Sequence, residues 1–255
     1  MIASTPPTRY FLAEKAYFCL VEDYIVFLDL ERDDYLFLEP SQKRNFFSIL
    51  DENPPLHNAA QENGQARHEP NELTVSLLQQ GLITPHISQG KSPQPITVNT
   101  PHKDLLGYYK VDAKPKIKIS HLHNYFAAAF KAAAMLRWWS LKRIVDHIEC
   151  RKTKYRCSNP QPKNLDFTDA KQLNRLWDLV EIFRILRPLL LSNTNKCLYN
   201  ALALIEFLSR YEIFPDWVFG VRLGPFSAHC WVQQGEFLLN DSADCTTSFT
   251  PILNV

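Results

Sequence analysis

The chain has 255 residues, 45 % of them hydrophobic, with a formal net charge of +1. So small a charge gives no basis for a nucleic-acid partner, since neutralising phosphates leaves a clear basic excess. At roughly 100–200 residues per domain the length suggests two domains. The longest apolar stretches are broken by Lys131 and Arg137, or by Arg184 and Arg187, short of the ~20 residues a membrane span needs.

In chain order, residues 16 to 39 read as three strands, AYFCLVED, YIVFLDL and YLFLE, with Glu31, Arg32, Asp33 and Asp34 as a polar turn. Aromatic and β-branched residues dominate them. Pro40 and Ser41 stop the last strand and open a short helix, QKRNFFSILDE, with Phe46, Phe47 and Leu50 on one side. After a polar insertion over 52 to 70, ELTVSLLQQ reads as a second helix closed by Gly81, the residue type that tolerates the left-handed cap conformation. Together these make a winged-helix-like unit over 1–83. Residues 84–118 hold Pro85, Pro93, Pro95, Pro101 and Pro115 with little apolar periodicity, and read as a linker.

From 119 to 255 a second domain is expected. His121 to Cys150 reads as one long, alanine-rich helix, 151 to 165 as a basic loop, and TDAKQLNRLWDLVEIFRIL as a helix stopping at Arg187 before Pro188. TNKCLYNALALI follows, with Thr194 and Asn195 as N-cap types and Cys197 in the first helical turn. The period then becomes alternating through DWVFGVRL, SAHCWV and EFLLND, three strands. Helices first and an antiparallel sheet last is an α+β plan, with the cysteine helix packed on the sheet.

Cys197 stands where free backbone N–H groups and the helix dipole favour a thiolate. His229 and Asp241 lie twelve residues apart on two strands joined by a turn. If Gln233 pairs with Phe237 around a three-residue loop, His229 faces Asp241, with Trp231 and Leu239 as apolar walls on the same side. A two-residue loop between Gln233 and Glu236 sends the two side chains to opposite faces. The first register makes Asp241 the group that orients His229 toward the thiol. For the oxyanion of acyl transfer the Cys197 N–H is one donor, and Asn195 and Trp217 are candidates for the second. His147, Cys150 and Cys157 fit no common zinc spacing, and with seven glycines no phosphate loop is found, so neither metal nor cofactor is expected. The six cysteines lack a disulfide-framework spacing and MIASTPPTRYFLAEK is not a secretory signal, which points to a reducing cytoplasm.

Two stretches carry a family resemblance. VFLDLERDDYLFLEP with LLQQGLI resembles the PqqD-like precursor-recognition element of ribosomal-peptide maturation systems. That resemblance implies that a leader peptide adds as a strand along Tyr35, Leu36, Phe37 and Leu38, in a groove against the helix bearing Leu73, Ser76, Leu77 and Gln80. CLYNALALIEFLSR, WVFGVRLGPFSAHCWVQQGEFLLND and FTPIL resemble the transglutaminase-like leader peptidases of lasso-peptide biosynthesis, the B proteins. It implies Cys197 as nucleophile, His229 as base and acid and Asp241 as orienting group. The implied partners are a lasso precursor and an asparagine-synthetase-like lactam synthetase. Cys230 departs from the alanine common beside the histidine in that family, and strand alternation turns its thiol away from the site. A transamidase using the same three residues, or a non-catalytic adaptor that presents precursors, are the alternative readings.

Overall fold

The computed structural model describes residues 10–50, 72–93, 98, 101, 103–108, 115–158, 170–189 and 197–255. They fall into two compact units, 1–96 and 97–255, each treated separately below.

In the first unit β1 (Phe11–Ala13) leads into a meander of β2 (Ala16–Val21), β3 (Tyr24–Asp29) and β4 (Asp34–Leu38). The sheet order is β2-β3-β4, antiparallel throughout, so one side of β4 carries no strand among the described residues. Alternation puts Phe18, Ile25 and Phe27 inward, where they meet Phe46 and Phe47 of α1 (Lys43–Ile49) and Leu73 and Leu77 of α2 (Glu72–Gln79). The Phe46 ring stands edge-on to Phe18 and Phe27 at 5.4 and 5.2 Å. α2 ends as expected at Gly81, at φ 67°. The N–H groups of Gly81 and Leu82 bond back to the carbonyls of Leu78 and Leu77, the paired closure that a left-handed residue permits. Beyond it β5 (Ile83–Thr84) and β6 (Gly90–Lys91) flank β1. The start of the expected linker is therefore folded into this unit. The polar insertion lies outside the described residues.

The second unit layers helices on a sheet. β7 (Lys103–Asp104) and the single turn α3 (Leu105–Tyr108) precede α4 (Ile119–Trp138), α5 (Leu141–Ser158), α6 (Ala170–Leu186) and α7 (Cys197–Ser209). Then come β8 (Asp216–Arg222), β9 (Ser227–Gln234), β10 (Phe237–Leu238), the single turn α8 (Ala243–Thr246) and β11 (Thr250–Asn254). The sheet runs β11-β8-β9-β10-β7. It has five strands where the alternating pattern gave three, because FTPIL and the Lys103–Asp104 pair are too short to show a period of their own. The latter pairs parallel with β10, placing it within the stretch expected to be linker.

The expected long helix is two. Trp139 takes extended angles, φ −114° and ψ 149°. Ser140 then restarts the chain: its Oγ accepts the Arg143 N–H and its carbonyl the Ile144 N–H, an N-cap hidden between tryptophans and a basic run. α5 also runs on through residues expected as loop. Two of its basic residues turn inward: Arg151 bonds both carboxylate oxygens of Glu206 at 2.9 Å, and the ammonium of buried Lys152 pairs with Asp216. α7 is buried along nearly its whole length, from Asn200 to Leu208. A helix apolar on all sides needs cover on all sides, and α4, α6 and the sheet supply it. The small residues Ala128, Ala129 and Ala132 face inward on α4.

Candidate active site

Cys197 is the first residue of α7, so its own N–H and those of the next turn have no partner within the helix. The proposed N-cap residues Thr194 and Asn195, and with them one oxyanion candidate, lie outside the described residues. Cys197 is half-buried and its sulfur hydrogen-bonds with the His229 imidazole and with both the thiol and the backbone N–H of Cys230.

The strand geometry explains this double contact. β8 covers one edge of β9 along its length, whereas β10 reaches only Gln233 and Gln234 on the other. Past that point the Val232 N–H on the β10 side is taken by the Asn240 side chain at 2.8 Å. Two residues earlier, the Cys230 N–H leaves the same edge and meets the Cys197 sulfur. The nucleophile candidate thus docks on the open edge of β9, in reach of side chains from both faces. His229 comes from the face that carries Trp231, Cys230 from the face that carries Phe219 and Trp217. The expectation that the Cys230 thiol turns away from the site is therefore wrong. The strand does alternate, but α7 packs on the Cys230 side.

The register around the hairpin also differs from the expected one. Phe237 pairs with Gln234, not Gln233, around the two-residue turn Gly235-Glu236, with Gly235 at φ 59°. Continued, that ladder sends His229 and Asp241 to opposite faces. It does not continue: β10 ends after two residues and Asn240 replaces a backbone acceptor with its side chain. The chain bends, and the Asp241 carboxylate meets His229 Nε2 in a short contact. Nδ1 is left for the thiol. The same register places Leu238, not Leu239, with Trp231 and Val218, while Leu239 lines a cavity beside Asp241.

The electrostatics follow from these contacts. The Cys197 thiol is lowered to about 4, first by the Cys230 thiol donating to it and then by His229. His229 is raised to about 9, first by the Asp241 carboxylate and then by Cys197. Burial pushes Asp241 up, but its bonds with His229, the Ser242 N–H and the Cys245 thiol outweigh this and hold it below its ordinary value. Between those limits the pair is a thiolate facing an imidazolium, which is the reactive form of such a dyad. The Trp217 indole is fully buried beside the Cys230 thiol, and its Nε1 has no hydrogen-bond partner among the described residues.

Some contributors were not singled out in the sequence. Gly220 lies opposite His229 on β8, and a Cβ there would come within 2.7 Å of the Trp231 ring. Its absence lets Trp231 and Phe249 pack at 6.3 and 5.3 Å from the imidazole. A glycine inside the apolar run WVFGVR was the available signal. Asn200, one turn after Cys197, lines a cavity of about 190 Å³ with Asp241, Asn240 and Leu239. Its buried Oδ1 has no hydrogen-bond partner.

Cys197 at the start of α7, His229 on β9 and Asp241 in the bend after β10 thus converge on one point. Residues 128–254 match the transglutaminase-like superfamily. The match takes in α4 from Ala128 to the end of β11 and so covers Cys197, His229 and Asp241. No curated protein and no solved structure matches the chain. The α+β layering of this region accords with the match in general terms. Among its described residues no group of three or more His, Cys, Asp and Glu side chains is gathered to hold a metal ion; His147 packs edge-on against Trp139 at 5.4 Å. No described helix is long and apolar enough to cross a membrane.

In the unmatched N-terminal unit, a groove of about 340 Å³ runs between β4 and α2. Leu36, Phe37, Leu38, Leu73, Ser76 and Gln80 line it, with Phe27, Gln42, Glu72 and Leu82. Of the other nominated residues, Leu77 is buried in the core beneath, at 1 % exposure, and Tyr35, the second residue of β4, does not line the groove.

Proposed function

We propose that the chain is a cysteine endopeptidase that binds the leader of a ribosomally made lasso precursor and cuts leader from core. The observation that carries this is the thiol of Cys197 at the start of α7 bonded to an imidazole whose other nitrogen is held by Asp241. Supporting it are the transglutaminase-like match and, for the leader, the groove beside the open edge of β4. An extended peptide added there would gain main-chain hydrogen bonds from the strand and selectivity from side chains entering the groove.

In this reading the Cys197 thiolate attacks the carbonyl carbon of the last leader residue. The oxyanion is met by the Cys197 N–H, free in the first helical turn. His229, protonated at Nδ1, gives that proton to the departing amine. It then takes one from the water that hydrolyses the thioester, freeing the leader acid. Asp241 fixes the ring through Nε2 and stabilises its charge. The amine released on the core is the nucleophile that an asparagine-synthetase-like lactam synthetase would join to an acidic side chain. A cytoplasmic location, where the thiol stays reduced, belongs to the same proposal.

Incubating the purified chain with candidate precursor peptides and reading fragment masses tests it. A leader ending in a free carboxylic acid and a core starting with a free amine are expected from wild type, and neither from Cys197→Ala, although that variant still binds the leader. Unchanged processing by Cys197→Ala would reduce the protein to a precursor-presenting adaptor, and an amine-adduct mass in place of the leader acid would make it a transamidase.

A further inference from the structure

The peptidase reading uses the Cys230 thiol only as a hydrogen-bond donor, yet this buried sulfur is in contact with a half-exposed nucleophile sulfur. We infer that Cys197 and Cys230 form an oxidative modification site, in which a peroxide converts Cys197 to a sulfenic acid and Cys230 resolves it to an intramolecular disulfide. The geometry carries this. Cys197 docks on a stretch of β9 edge that carries no strand among the described residues, because β10 is short. The Cys230 N–H and thiol both meet its sulfur there, which sets the two sulfurs beside each other.

The two thiols differ in the way a sensor pair requires. Cys197 is reachable by solvent and sits in an anion-favouring position, so it is oxidised first. Cys230 is 2 % exposed and flanked by Trp217 and Val232, so it is shielded from the oxidant and held in reserve. The Cys197 thiolate attacks one peroxide oxygen, breaking the O–O bond. Cys197–SOH forms and hydroxide leaves, taking a proton from the His229 imidazolium. The Cys230 sulfur then attacks the sulfenic sulfur: an S–S bond forms, the S–O bond breaks, and the Cys230 proton leaves with the oxygen as water. The peroxide is reduced and two thiols are oxidised. A dithiol reductant restores both. Without the resolving thiol, Cys197–SOH is open to further oxidation to sulfinic acid, which a thiol does not reverse.

The test uses the full chain, brief hydrogen peroxide treatment, alkylation of free thiols and non-reducing peptide mapping, none of which depends on peptidase activity. Expected are a linked Cys197–Cys230 peptide and a fall of about tenfold or more in the rate of Cys197 alkylation, both reversed by dithiothreitol. In Cys230→Ala, and in Cys230→Ser as the closer replacement, Cys197 should instead accumulate as sulfinic acid and stay unreactive after reduction. Sulfinic Cys197 in the wild type without a link would overturn the inference. So would a link to the exposed Cys245, whose thiol bonds Asp241.

Discussion

Asp241→Asn tests the central electrostatic claim without needing the substrate. His229 is raised from 6.5 to about 9, and the Asp241 carboxylate is the largest cause. At 1.36 kcal/mol per pH unit, the protonated ring is favoured by about 3 kcal/mol over a free one, a share of which Cys197 supplies. Asparagine keeps a hydrogen-bond partner for Nε2 and removes the charge. The alkaline limit of the thiolate–imidazolium state should therefore fall by at least one pH unit, from about 9 toward the ordinary histidine value. The assay is the rate of Cys197 alkylation by iodoacetamide from pH 3 to pH 10, followed by intact mass. Wild type should give a limb rising through about 4, as the thiol loses its proton, and a second inflection near 9, as the ring loses its own. Both belong to the coupled pair. An unmoved alkaline inflection in Asp241→Asn, with folding intact by circular dichroism, would show that the carboxylate does not hold the ring charged.

Three further outcomes are expected. Glu206→Ala on α7 strands Arg151 and Lys131, which both contact a carboxylate only 2 % exposed. With partial rehydration of those cations the loss should be about 2–3 kcal/mol in urea unfolding. Burial raises the Glu206 pKa, but Arg151 and Lys131 more than offset it and leave it lowered. That contribution is full above the ordinary glutamate pKa and disappears as the pH falls through the depressed folded value, so the difference between wild type and variant should shrink in acid. Gly220→Ala drives a Cβ to 2.7 Å from the Trp231 ring and 3.0 Å from Phe249 Cβ. It should cost about 1–3 kcal/mol of stability by thermal melting, with a change in tryptophan fluorescence. Ser76→Arg places a long side chain in the groove between β4 and α2. It should weaken leader-peptide binding about tenfold or more, read by fluorescence anisotropy, and leave Cys197 alkylation unchanged.

Periodicity and chain punctuation suffice to write down most elements of this protein. Alternating aromatic and β-branched runs give β2, β3 and β4, Gly81 ends α2, and the apolar repeat after Cys197 gives α7 with the cysteine at its start. These are local properties, decided by side-chain spacing and by which residues tolerate a cap or a turn. The break at Trp139–Ser140 and the extension of α5 to Ser158 escape that reading. The first rests on one serine bonding back to its own helix. The second rests on partners, Glu206 and Asp216, more than fifty residues away. The meeting of Cys197, His229 and Asp241 is of another kind. The register of β9 against β10 taken alone sends His229 and Asp241 to opposite faces. What brings them together is the early end of β10, the Asn240 side chain standing in for a strand, and the bare edge this leaves for α7. None of that is encoded in spacing along the chain, because it depends on where one strand stops beside another and which helix fills the space.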